Sequence, residues 1–248
     1  MKNFSVIIII FFLSLSAFAQ NSAGDASSVE PRQLIDVPTA GMLKRGSFAM
    51  DIDFFQQGGA TIALNAGALD RLNFGISYGG TGIIGNGTAK MQPLPRIFDE
   101  STAMPAIALG FDSQGKEIYV DSTERYTIKS RGVFAVASKN YSFFGNLSVH
   151  GGLNWSMERK DDDSDLNFFV GVEKTLGQEI SFFFEYDFGL NDNGPRSLGR
   201  DRGYMNSGVR WSFGNGFTLG FDVKNVIQNQ NVVTIGNRTL KVEWVRTM

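Results

Sequence analysis

"ISFFFEYDFG", residues 180–189, places Ile180, Phe182, Phe184, Tyr186 and Phe188 on one side of an extended strand and Ser181, Phe183, Glu185 and Asp187 on the other. The division follows from the period of two, because successive side chains of a strand point to opposite faces. A soluble β-sandwich would bury the first face against a second sheet and leave the carboxylates in water. A transmembrane barrel inverts this: the aromatic face meets lipid, and Glu185 and Asp187 point into a wet or salt-bridged lumen. Alternation is the same signal in both architectures, so the rest of the chain has to decide.

From Gly46 onward the same period recurs. Phe48, Met50, Ile52 and Phe54 alternate with Ser47, Ala49, Asp51 and Asp53, and Leu72, Phe74, Ile76 and Tyr78 with Asn73, Gly75 and Ser77. Twelve such strands are predicted; the fourth, near 87–97, carries Pro93 and Pro95 and should be irregular. Short links near 69–71, 98–103, 142–145, 176–178 and 214–216 alternate with longer ones at 112–130, 157–164, 190–202 and 227–237. Short turns on one side and long loops on the other are the asymmetry of outer-membrane barrels. Closure is required as well, since an open edge in lipid leaves backbone groups unpaired. The expectation is an all-β, antiparallel up-and-down transmembrane barrel over residues 46–248. Its lumen face should hold Asp51, Asp53, Glu173, Glu185, Asp187, Asp222 and Glu243 against Lys90, Arg96, Lys139, Arg210, Lys224 and Lys241. Such a mixture suggests cross-strand ion pairs in a narrow lumen rather than a strongly ion-selective pore.

The N-terminus agrees with that destination. Lys2, the apolar run Val6 to Leu13 and the small-x-small pattern Ala17-Phe18-Ala19 read as a secretory signal peptide over residues 1–19. Residues 20–45, interrupted by Pro31, Pro38 and Gly41, read as a flexible leader and a periplasmic lead-in. With no cysteine, the fold must be held by burial and hydrogen bonding. A net charge of -2 gives no reason to expect nucleic acid as a partner. The expected surroundings are outer-membrane lipid, lipopolysaccharide and the barrel insertion machinery of a Gram-negative-type bacterium. "IGNRT" (235–239) contains a primed-turn dipeptide that could add a further strand.

Several stretches hold residue types that can carry chemistry. His150, the single histidine, falls on the lumen face with Ser148 two residues away, a spacing of ~7 Å along a strand that is too long for direct proton transfer. A hydrogen-bonded lumen histidine is the plainer reading. "DDDSD" (161–165) lacks the spacing and glycine turn of a calcium loop and reads as a solvated acidic loop. In "GPRSLGRDRG" (194–203), Arg196, Arg200 and Arg202 could hold phosphates or acidic sugars from an exterior loop, or fold inward against lumen carboxylates. "GGTGIIGNG" (79–87) follows no βα unit and is no phosphate loop. No catalytic residue, metal site or cofactor is expected. Around "IDVPTAG" (35–41), Asp36, Pro38 and Thr39 are placed at the periplasmic mouth, where the segment could plug the lumen, dock a periplasmic partner or only cap the barrel.

Other stretches go beyond pattern. "LIDVPTAGMLKRGSF" (34–48) resembles the opening motif of the YjbH-like outer-membrane proteins. "MPAIALGFDSQG" (104–115) with "GVFAVASKNYSFFGNLSVHGGLNW" (132–155) is similar to that family's paired strands, and "PLPRIFDES" (93–101) to its short basic-to-acidic turn. The resemblance implies a non-enzymatic barrel associated with exopolysaccharide production and export, an accessory or conduit with polysaccharide or periplasmic export components as partners. A structural or adhesion barrel with a closed lumen is the alternative, and a barrel hydrolase the third. The chain closes on "WVRTM", with Trp244 in place of a terminal aromatic.

Overall fold

A computed structural model describes residues 31–81, 90–231 and 237–247; the side chains of Lys90 and Met91 are outside that description. The signal-peptide reading, the leader up to residue 30 and most of the Ile235–Gly236–Asn237 turn therefore lie outside the described residues. The strands are β1 (Ser47–Phe55), β2 (Gly59–Leu69), β3 (Leu72–Thr81), β4 (Lys90–Met91), β5 (Leu94–Phe98), β6 (Ala106–Asp112), β7 (Lys116–Val120), β8 (Arg125–Ile128), β9 (Gly132–Ser142), β10 (Asn146–Trp155), β11 (Asn167–Leu176), β12 (Ile180–Asp187), β13 (Tyr204–Gly214), β14 (Phe217–Lys224) and β15 (Asn237–Thr247). Each wall strand pairs antiparallel with its neighbours, and β1 pairs with β15 from Ser47↔Thr247 to Phe54↔Leu240, which closes the ring. With β4 and β5 sharing one position and the β7–β8 hairpin standing apart, the wall is a closed barrel of 12 strands.

The seam at β4 and β5 is where Pro93 and Pro95 remove ladder donors. Other backbone bonds close it: Gly75 and Gln92 exchange N–H and C=O at 3.1 and 2.8 Å, Arg96 N–H donates to Arg71 O at 2.9 Å, and Phe111 N–H to Pro93 O at 2.9 Å. Elsewhere in the wall the register breaks only near strand ends, between Gly67 and Leu69, at Trp155 and between Ser212 and Gly214. The tight β13–β14 turn depends on Gly216, whose φ of 77° is left-handed and where a Cβ would strike the Val245 carbonyl.

The division read from residues 180–189 holds in the fold. Phe182, Phe184 and Phe188 are exposed on the outside, whereas Phe183, Glu185 and Asp187 are buried inside. The outer wall carries Ile62, Leu64, Phe74, Ile76, Leu109, Phe168, Val170, Trp211 and Phe221, all exposed. In water such a continuous apolar band would be far larger than the patches soluble proteins expose; in a bilayer it is the required surface.

Candidate functional site

The lumen is not an empty bore. Residues 31–41 run into it from the short-turn end, turn, and come back to start β1. Leu34 N–H donates to Val37 O at 3.0 Å and Thr39 N–H to Arg32 O at 3.0 Å, making a tight loop with Ile35 and Asp36 at its tip. Leu34, Ile35, Val37 and Ala40 pack with Ala106, Ala108, Phe134, Val136, Phe169 and Phe183 of the inner wall, the only apolar core cluster among the described residues. Small residues make this contact possible. A Cβ at Gly171 would collide with the Leu34 side chain, and one at Gly110 with the Phe134 ring. Burying a side chain such as Leu34 or Val37 is worth roughly 1.5–3 kcal/mol, so the cluster contributes substantially to docking.

A loop inside a barrel must also satisfy its backbone. Every N–H from Leu34 to Gly41, Pro38 having none, has an acceptor. Ile35, Asp36 and Val37 all donate to the Glu185 carboxylate, at 3.0, 2.9 and 3.1 Å. Ala40 N–H donates to Ser138 Oγ at 2.9 Å and Gly41 N–H to Thr39 Oγ1 at 3.0 Å. The carbonyls face cations instead: Leu34 O accepts from Arg210 at 3.0 Å, Ile35 O from Lys116 at 3.0 Å, Asp36 O from Arg131 at 3.2 Å and Ala40 O from Arg96 at 2.9 Å.

Side-chain charges complete the attachment. The Asp36 carboxylate lies 2.8 Å from Lys224 Nζ and 3.2 Å from Lys116 Nζ. Asn206 donates to Glu185 at 2.7 Å and to Asp36 at 3.2 Å, tying the two carboxylates together. Lower down, Arg32 pairs with Asp51 at 2.8 Å and with Glu243 at 2.5 Å. Asp36 belongs to the lead-in rather than to a membrane-spanning strand. Burial alone would raise its carboxyl, but the Lys224 and Lys116 ammoniums outweigh burial and hold it well below the usual carboxylate range.

The long loops form a second closure. Arg125, on β8, is fully buried between Asp161 and Asp192, the latter at 2.7 Å, and Lys129 reaches Asp161 at 2.7 Å. Lys129 also donates to Asn191 O at 2.6 Å, and Tyr204 donates to Asp192. The lid meets the lead-in through the β7–β8 hairpin, where Lys116 pairs with Asp36 and Glu117 lies 3.2 Å from Lys224.

Measured against expectation, Asp51, Asp53, Glu173, Glu185, Asp187, Arg210, Asp222, Lys224, Lys241 and Glu243 face the lumen, with Arg210 paired to Asp222 and Lys241 3.7 Å from Asp53. Arg96 reaches inward to Ala40. Lys90 has no described side chain. Lys139 is a correction: Phe134, Val136 and Ser138 point inward, so Lys139 is on the outer face with Val133 and Ala137, and its ammonium bends to the rim carbonyls of Ser101 and Thr102. A second correction concerns the acidic run, where Asp161 and Asp163 are buried rather than solvated because they are the lid's acceptors; Asp163 receives Asn193 and Gly194 N–H at 3.0 and 3.1 Å. Asp36, Pro38 and Thr39 sit within the lumen instead of at its mouth, because the chain climbs inside before entering β1.

His150 is buried in the lumen, and its Nδ1 meets Ser138 Oγ at 2.7 Å across the β9–β10 ladder; Ser148 instead donates to Asn140 at 2.6 Å. Nε2 has no partner among the described residues, so no carboxylate orients the ring. Since Ser138 also accepts from Ala40, the pair acts as a clamp on the lead-in. Of the exterior arginines, Arg196 bonds the carbonyls of Ser122 at 2.7 Å and Lys160 at 3.0 Å, and Arg200 the Asn231 side chain at 2.7 Å; Arg202 is exposed, its N–H held by Asn229 at 2.9 Å. The structure thus uses Arg196 and Arg200 within the lid and gathers the three around no common point. Among the described residues no group of three or more His, Asp or Glu side chains could hold a metal.

Sequence reasoning missed Arg32, Lys116, Glu117, Arg125 and Arg131, which lie outside the alternating wall strands. It also missed the apolar inner patch. The available signal was that "GVFAVA" (132–137) and "FFF" (182–184) are apolar on both faces, more than a lipid-facing strand with a wet lumen requires.

No family model and no curated protein matches the chain. Solved structures do. The KdgM porin superposes with a TM-score of 0.51 at 8% identity, over 82% of this chain and 99% of that one. The NanC porin gives 0.50 at 9% identity, over 81% and 99%. At such identities the likeness is one of fold: the chain is a closed antiparallel β-barrel of 12 strands, similar in fold to these porins, with its lumen occupied by its own lead-in.

Proposed function

We propose that the protein is a non-enzymatic outer-membrane barrel acting in exopolysaccharide secretion, as an accessory or conduit component that residues 31–41 close at rest. The observation that carries the reading is the lead-in itself. It fills the lumen without belonging to the wall, and it is attached by hydrogen bonds and ion pairs that can be exchanged for water. The segment that docks is also the stretch resembling the YjbH-like opening motif, and Leu34, Asp36, Thr39 and Gly41 each have a defined part in holding it. Barrels of this shape do receive saccharides: the KdgM porin is known in complex with oligogalacturonate.

The test is single-channel conductance in a planar bilayer. The full chain is expected to be almost silent, and a variant lacking residues 32–41 to give steady currents that oligosaccharides block. A folded but silent deletion variant would eliminate the conduit and leave the second reading, a closed structural or adhesion barrel. That reading draws its support from the fully buried Arg125 of the lid, which covers the opposite end.

A further inference from the structure

The outer wall is not uniformly bulky. Between β9 and β12 it is indented by a groove of about 760 Å³, floored by Ala137, Val149, Gly151 and Val170 and flanked by Tyr141 and Phe184. Gly151 stands directly opposite Ala137 on one side and Val170 on the other, so three neighbouring strands present small side chains at one level. Elsewhere on the wall Phe182, Trp211 and Phe221 project. An indentation this apolar, open to the bilayer, is filled by hydrocarbon.

Its short-turn end is marked by charge. Lys139 on β9 and Lys174 on β11 both occupy outward positions, facing Val149 and Leu147 of the intervening β10. Lys139 Nζ lies against the carbonyls of Ser101 and Thr102, with Glu100 the nearest carboxylate at 3.5 Å. Lys174 Nζ donates to Phe144 O at 2.7 Å and Thr175 O at 3.1 Å. Two ammoniums thus lie on long stems beside the base of the groove, Lys139 ion-paired with Glu100 and Lys174 held by backbone carbonyls, at the height where lipid headgroups begin. Exposed Phe143 and Phe144 mark that interface on the adjoining turn.

We infer that this face is a binding site for an anionic glycerophospholipid of the leaflet on the short-turn side. One acyl chain lies along the Ala137–Gly151–Val170 groove, and the phosphate sits between Lys139 and Lys174. The occupant is argued from charge complementarity: a headgroup with net negative charge matches the two lysines, whereas a zwitterionic one brings its own cation. Lipopolysaccharide belongs to the opposite, long-loop side.

Native mass spectrometry tests the assignment, with the full chain released from nanodiscs containing equal phosphatidylglycerol and phosphatidylcholine. The wild type is expected to retain phosphatidylglycerol, and Lys139→Gln/Lys174→Gln to lose that preference by about tenfold. Lys139→Arg/Lys174→Arg should keep it, and Gly151→Leu, which fills the groove, should lose it with both lysines intact. Heat-modifiable gel mobility establishes that each variant has formed its barrel. Equal retention of the two lipids by wild type, an unaltered preference in the double glutamine variant, or retention of lipopolysaccharide in place of phosphatidylglycerol would overturn the proposal.

Discussion

The two closures of the lumen, the lead-in and the loop lid, are both built from buried ions, yet they are attached differently. The lead-in is fixed to the wall: Glu185 takes three of its N–H groups, Lys224 and Arg210 take its oxygens, and Gly171 leaves space for Leu34. The lid is fixed chiefly to itself, through Arg125, Lys129, Asp161 and Asp192, four side chains from three loops. Attachment to the wall makes a segment's position a property of the barrel. Attachment between loops makes a cover that can loosen without disturbing what lies beneath.

The largest expected effect comes from breaking the first attachment. Glu185→Ala leaves three buried N–H groups without an acceptor and removes the nearer of the two carboxylates the Asn206 amide bonds, a loss of about 4 kcal/mol in lead-in docking. Bilayer recordings should show frequent openings in a barrel whose gel mobility is unchanged; a silent variant would mean that the apolar cluster alone holds the segment.

Arg125→Ala should act on the lid alone. Removing the cation between Asp161 and Asp192 costs about 3 kcal/mol of lid stability. Limited proteolysis is expected to cut near residues 121–124 far faster than in the wild type, with conductance little changed. If currents appear with the proteolytic sensitivity, the closures are coupled through the Lys116–Asp36 contact and the lid does not loosen separately from the lead-in.

The smallest effect is the pH dependence of Asp36. Its folded value is depressed, so its stabilisation is fully present above the ordinary carboxylate range near ~4 and is lost as pH falls through the folded value. Hydrogen exchange at the amides of residues 35–37 should be faster in Asp36→Asn than in wild type at neutral pH, by an amount equivalent to about 1–2 kcal/mol. That gap should shrink on acidification below about pH 4. A gap independent of pH would assign the Asn effect to packing instead.

Much of the wall was legible because the alternation in β1, β12 and β15 admits one inward set only: slipping the register by one residue would put Asp51, Glu185 and Lys241 into lipid. Lys139 was misplaced because β9 is apolar on both faces, so its parity had no contrast to set it. The lumen side of the site was half legible. Glu185, Asp222 and Lys224 were read from parity, but what they bind was not, since Arg32, Asp36, Lys116 and Arg131 lie in segments without a period.

What the sequence determined by itself was the separation of two solvents. A period-two pattern with aromatics on one face and carboxylates on the other is compatible with lipid outside and a polar interior, and it requires closure because lipid cannot satisfy an open edge. What only the tertiary structure decided was the content of that interior. The Glu185 carboxylate and the Ile35, Asp36 and Val37 amides are about 150 residues apart in the chain. Contacts over such a separation depend on the closed geometry of the wall, which brings β11 to β14 around the lead-in, and no local pattern of residues encodes them.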